Sequence, residues 1–441
     1  MVNFVQSLAC FKSCCGDLLT RRSIERMSRE MNYRWRDGKL PPDATVHCMM
    51  EQMVHGNVSC TQVRQLRCGQ FSAEAFCQAR QRLPLALLER LNQTVSAAVM
   101  KVAVAIKPVE SSGINRHRVF ILDGSGFSMP DTPELVEHFG LRRNQREGCG
   151  YPTCHLLLQT GPGGVVTAAI CSPYRTGDMT HIQEMQQTLR KNDLVLGDRL
   201  FSNWGHLCLL HERGAHGLFR MHHSRKALFG KHKDYGSSRQ FVKKLGHKDQ
   251  LMKYLKPSQK PAWMSREQFT AMPRWILVRE FQVKVKIGRQ RRTVTLITTL
   301  IDVEKYPAKQ LVPLLAERWQ IETNLRHLKT TMGLNQVRCK TVDGVKKELQ
   351  AYLLSYNIVR LVMLKAAQRQ KVSVSRISFT DALSWLKHHR QTSGLIDLMI
   401  NPKRERRIEP RVIKRRKPSF PYMSQPRKAL RLEIVQKSLA A

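Results

Sequence analysis

Arg318-Trp-Gln-Ile-Glu322-Thr-Asn-Leu-Arg326-His-Leu-Lys329 is the stretch on which the reading of this chain turns. It lies in an apolar-periodic run with no Gly or Pro between Pro313 and Gly333, which predicts one helix. Arg318, Glu322, Arg326 and Lys329 follow at steps of three or four and share a face. Leu314, Ile321, Leu325, Leu328 and Met332 form a core stripe on the opposite face. Two readings fit this spacing. One is a solvated face of alternating ion pairs. The other is a carboxylate that holds a metal ion, ringed by cations that grip a phosphate backbone.

Two further stretches bear on that choice. Val119-Phe-Ile-Leu-Asp123-Gly-Ser and Asp193-Leu-Val-Leu-Gly-Asp198-Arg are apolar runs that end in Asp. Buried strands ending in a carboxylate place acids at one edge of an α/β sheet. With Glu322 they would make an oxygen-donor set for Mg²⁺, which keeps waters and substrate phosphate in the rest of its shell. Each Asp alone also reads as an ordinary Asx turn after a strand. Two rival acids have simpler readings: Asp178 as a cap of the helix that follows it, and Asp131 as a turn into a helix.

The 441 residues suffice for two or three domains, and 42% hydrophobic with 24% charged residues is a globular composition. The charge is unusual: 74 Lys+Arg against 34 Asp+Glu, net +40. Such a field favours a polyanion, nucleic acid above all. No apolar run is long enough to span a membrane, and Met1 to Cys15 lacks a secretory pattern, so a cytoplasmic protein is expected. The 12 cysteines include no C-x2-C pair, which argues against structural zinc and for reduced thiols.

Along the chain, residues 1–110 read as a helical N-terminal domain. Within it, 59–67 and 72–80 form a helix-turn-helix that suits either DNA reading or a plain bundle. Residues 111–221 alternate strand and helix, with strands near 119–123, 153–160, 165–170, 193–198 and 217–221. Residues 222–306 break the alternation and read as an inserted β-subdomain. Residues 307–395 carry the Glu322 helix and a second long helix, about 343–369. Residues 396–441 are a basic tail, in which 402–428 combine nine Lys or Arg from Lys403 to Lys417 with five prolines.

With these residues in place, the chain resembles bacterial insertion-sequence transposases of the DDE type, in the IS-four group. The family's Tyr-x2-Arg-x3-Glu-x6-Lys signature is matched by Arg318, Glu322 and Lys329, with Leu315 in place of the tyrosine. Asp123-Gly-Ser and Gly197-Asp198-Arg match its first and second acid blocks. The resemblance implies an α/β, ribonuclease-H-like mixed sheet with helices on both faces and a β-rich insertion before the Glu helix. It implies Asp123, Asp198 and Glu322 as catalytic, metal-holding carboxylates for two Mg²⁺ or Mn²⁺ ions. Arg318 and Lys329, with Arg326 beside them, would contact DNA. The implied substrate is double-stranded DNA, both terminal inverted repeats and target, handled by a homodimer that cleaves element ends and transfers strands. A co-opted DNA-binding relative without activity, and a nuclease of the same fold, are the competing expectations.

Overall fold

The computed structural model describes residues 16–106, 117–142, 148–287, 290–388, 397–402 and 423–439. The basic stretch expected over 402–428 falls largely outside these residues. The N-terminal helices are α1 (Arg21–Glu30), α2 (Pro42–Val54), α3 (Cys60–Leu66), α4 (Ala73–Arg82) and α5 (Leu85–Ala105). Their starts are written in the sequence. Thr20, Ser59 and Ser72 each accept a bond from a first-turn backbone N–H, and Ser59 and Gln62 complete a capping box. Gly69, at φ 70°, turns the chain between α3 and α4, and buried Val63 and Phe76 anchor the pair.

The sheet starts at β1 (Val119–Ser128), followed by helix α6 (Pro133–Phe139), then β2 (Thr153–Thr160), β3 (Val166–Pro173), β4 (Leu194–Gly197), α7 (Trp204–Glu212) and β5 (His216–Arg220). β1, β4 and β5 are parallel neighbours, while β2 and β3 extend the other edge antiparallel. That order is the ribonuclease-H-like core. The expected helix from Asp178 to Arg190 is instead a series of short 3-10 and α turns over 178–188.

Asp123 does not end its strand, as its apolar run suggested. β2 supplies partners as far as Ser128, so β1 continues through the polar Gly124–Ser128 segment. What stops near Asp123 is the parallel neighbour, because β4 ends at Gly197.

The insertion contributes β6 (Arg239–Gly246), β7 (Asp249–Leu255), α8 (Arg266–Ala271), β8 (Trp275–Ile287) and β9 (Gln290–Thr298). It does not stand apart as a subdomain. β9 pairs antiparallel with β5, so one nine-stranded sheet runs β3-β2-β1-β4-β5-β9-β8-β7-β6. An open β5 edge would expose a row of unpaired backbone groups, and β9 satisfies them. Enclosed charges pin the join. Arg279 grips Asp249 and donates to the Tyr306 carbonyl at 2.6 Å. Glu280, wholly buried, accepts from Arg239, Tyr254 and Gln250.

α9 (Ala308–Arg326) starts before Pro313, which sits inside it and removes one helical hydrogen bond near the start. The expected stripe of Leu314, Ile321, Leu325, Leu328 and Met332 is buried. Each such side chain contributes roughly 1.5–3 kcal/mol. The helix closes in a π turn over His327–Thr331, and Gly333, at φ 91°, ends it.

The 28-residue α10 (Val342–Arg369) is enclosed along most of its length and packs against α2 and α5. Asn92 donates to the Gln350 carbonyl and Lys347 to the Gln81 carbonyl, so the N-terminal helices share a core with α10. After α11 (Phe379–His388), the bridge Ile377↔Ile400 ties the following segment back. α12 (Arg427–Leu439) ends the described chain.

Cys154 on β2 and Cys171 on β3 lie on neighbouring strands with their sulfurs close together. Among the described residues, no helix is long and apolar enough to cross a membrane.

Candidate active site

Parallel pairing brings the two aspartates together. Val119 lies beside Leu194 and Ile121 beside Leu196, so the two strands run in step toward Asp123 on β1 and toward Asp198, the residue after the end of β4. Residues level with each other on parallel strands point to the same face. Gly197 matters here, because a Cβ on it would strike the Phe201 ring at 2.7 Å. Phe201 is thereby free to pack under the loop after Asp198. Its N–H donates to the Asp198 carbonyl, and buried His206 donates from Nδ1 to the Phe201 carbonyl at 2.7 Å.

Both aspartates line a cavity of about 810 Å³ beside the part of β1 that runs on past β4. Lys329 lines it too. Its Nζ donates to Ser125 Oγ at 3.1 Å and to the Gly126 carbonyl at 2.7 Å. The π turn that holds Lys329 breaks the regular step from Arg326, a distortion often found at functional sites. Burial and the charge of Arg142, another lining residue, both lower the Lys329 pKa.

Arg318 and Glu322 do not line the cavity, but they lie within electrostatic reach of Asp123 from α9. Burial pushes the Asp123 carboxyl up to about 6, and the charges of Glu322 and Asp178 add to this against the opposing pull of Arg318. Glu322 is exposed, and so is Arg326, which lines no part of the cavity.

Sequence reasoning misplaced Asp178. It caps no helix: the turn it opens has Gly177 at its cap position and no side-chain cap bond. Its carboxylate instead lies against β1, with Oδ1 2.7 Å from His155 Nε2, and both residues line the cavity. His155, inside the strand expected over 153–160, was given no part in the site, and neither were Arg142 and Tyr174. The spacing of Gly124 and Gly126 around Ser125 was the one available signal that something approaches β1 closely.

A ribonuclease-H-like sheet with acids at its open end and a basic helix beside them is the frame of an enzyme that acts on nucleic-acid phosphodiesters. The transposase DDE domain family matches residues 114–358, and the chain belongs to that family. It is a DNA transposase, an enzyme that cleaves DNA and transfers strands. The chain is 25% identical over 326 residues to the transposase InsG for insertion sequence element IS4 of Escherichia coli (strain K12), covering 68% of each. It is 29% identical over 99 residues to the putative transposase InsZ of the same organism, covering 22% of this chain and 33% of that one. Among solved structures, the cryo-EM synaptic complex of piggyBac transposase with hairpin DNA aligns with a TM-score of 0.42 at 10% identity, over 86% of this chain and 79% of that one.

The family uses divalent metal ions, and the residues here suit one. The donors are oxygens, and Asp123 carries crowded negative charge that a hard cation would relieve. Among the described residues, no three ligand-type side chains stand close enough to cage an ion by themselves.

Proposed function

We propose that Asp123, Asp198 and Glu322 are the carboxylates at which this transposase cuts its element ends and joins them to target DNA, holding two Mg²⁺ or Mn²⁺ ions. The observation that supports this reading is that Asp123 and Asp198 line one cavity where β1 runs on past β4, with the charge of Glu322 near enough to act on Asp123. When bound, the cations activate the attacking oxygen and neutralise the leaving one. Asp123 and Asp198 would hold those cations beside the reacting phosphate at the end of β4. Glu322 closes it from α9. Lys329, fixed by Ser125 and Gly126, presents its ammonium to phosphate in that cavity. Arg318 steadies the charge of Asp123 from the same helix, and Arg326, exposed on α9, meets the DNA backbone further out.

The substrate is double-stranded DNA, comprising the inverted repeats and the target, bound by two copies of the chain because two ends must be handled together. The helical N-terminal domain, residues 1–110, binds the element ends. Residues 111–221 and 307–395 form the catalytic domain, 222–306 its insertion, and 396–441 the basic C-terminal segment. The protein works in the bacterial cytoplasm, where the chromosome lies.

The test is end cleavage and gel shift on one labelled duplex. Asp123→Asn, Asp198→Asn and Glu322→Gln should each abolish Mg²⁺-dependent cleavage while shifting the duplex as wild type does. Full cleavage by Glu322→Gln would remove it from the set.

A further inference from the structure

We propose that Asp178 is a fourth cation-binding carboxylate of this reaction centre, and that His155 is the positioning residue that holds it there. The inference rests on the reading of Asp123 and Asp198 given above.

The geometry is specific. An ideal Cβ on Gly124 would lie 2.5 Å from Asp178 Oδ1 and 3.1 Å from its Oδ2. The carboxylate therefore occupies the space that any side chain after Asp123 would fill. Gly124 does not have a positive φ, so it is glycine for room and not for conformation. On β2, His155 is registered opposite Gly126, the next residue of β1 on the same face as Gly124. The missing side chain of Gly124 thus makes the room that the Asp178 carboxylate fills, with His155 beside it.

The pair serves the cavity more than the fold. The Asp178 carboxylate accepts no cap bond from the turn it opens, where Gly177 takes the cap position. His155 Nδ1 and Asp178 Oδ1 are both enclosed without a hydrogen-bond partner, and the 2.7 Å approach of His155 Nε2 to that oxygen is the charge contact between the two. A histidine aligned this way fixes the direction of the acid it faces, as outer partners do for metal-binding carboxylates. Asp178 is also near enough for its charge to act on Asp123. Two like charges pressed together across a glycine are stable when a cation shares them.

The experiment compares Mn²⁺ binding by the full chain, followed by electron paramagnetic resonance of free Mn²⁺, with cleavage of a labelled end duplex. Thermal melts in chelator accompany each variant. Asp178→Asn should weaken Mn²⁺ binding and slow cleavage, each at least tenfold, with end binding and the chelated melt unchanged. Gly124→Ala should reproduce both losses, because its methyl displaces the Asp178 carboxylate without removing any acid from the chain. His155→Gln should give a smaller loss of both, relieved by raised Mn²⁺, as befits a residue that only orients. Wild-type Mn²⁺ affinity in Asp178→Asn would overturn the proposal, and so would a lowered melt with metal affinity intact. Asp123→Asn is run alongside. If it loses Mn²⁺ binding while Asp178→Asn does not, the fourth carboxylate falls and the first reading stands. If neither loses it, the first reading falls as well.

Discussion

Asp123 is held at a cost to the fold. Its carboxyl is pushed up to about 6, above the ordinary value of 3.8. An acid whose folded pKa is raised loses stability as pH climbs from its unfolded value through the folded one. In metal-free protein, Asp123→Asn should therefore melt above wild type at pH 8, by on the order of 1–3 kcal/mol, and the gap should close near pH 4. Melts in chelator at both pH values check this, and a lower melt for the variant at pH 8 would contradict it. Buried His206 has the opposite sign. Its pKa is lowered to about 4, so the support it gives the Asp198 loop weakens as pH falls from 6.5 toward that value. Replacing Lys329 by Ala should lower both end affinity and turnover, since its ammonium would meet phosphate before and during reaction. Filter binding and single-turnover cleavage separate the two, and an effect on neither would remove Lys329 from the site. At this scale the signature residues were legible because their spacing repeats. Asp178 was not, because its partner His155 comes from another strand and no periodicity links them.

At the scale of elements, the strands and long helices could be read from apolar periods and caps, and most boundaries fall within a few residues of the pattern. Three features could not be read. The π turn at His327–Thr331 has no residue type that announces it. Continuation of β1 past Asp123 depends on β2, which lies across the hairpin-bearing half of the sheet. The union of β5 with β9 depends on pairing between segments about eighty positions apart, which local pattern does not encode. That union makes a measurable prediction. Glu280 is wholly buried and accepts bonds from Arg239, Tyr254 and Gln250. Its removal leaves the Arg239 charge uncompensated, so Glu280→Ala should cost roughly 3–5 kcal/mol. Because the sheet is continuous, the loss should appear in the main unfolding transition seen by denaturant titration. A separate early transition, with the main one unmoved, would show the insertion folding on its own.

For the whole molecule, net charge sets the behaviour with DNA. End affinity should fall by orders of magnitude between ~50 and ~200 mM salt if six or more phosphates are contacted. A gel-shift series across that range checks it, and a flat response would mean that the basic surface is not the DNA footprint. Deleting residues 403–422, with their nine Lys or Arg, should weaken specific and random duplexes by similar factors. Selective loss on specific ends would contradict this. That stretch was expected to be a tail, yet the described residues on either side of it are moored. On one side, Ser378 donates to the Met399 carbonyl and Asn401 to the Arg376 carbonyl. On the other, Arg427 clamps Asp131 through both carboxylate oxygens and donates to the Gly150 carbonyl at 2.6 Å. The described residues that flank the stretch are therefore held at both ends, and a tether sets local concentration. Releasing the Arg427 mooring would leave every cation in the chain while removing one of the two fixed ends.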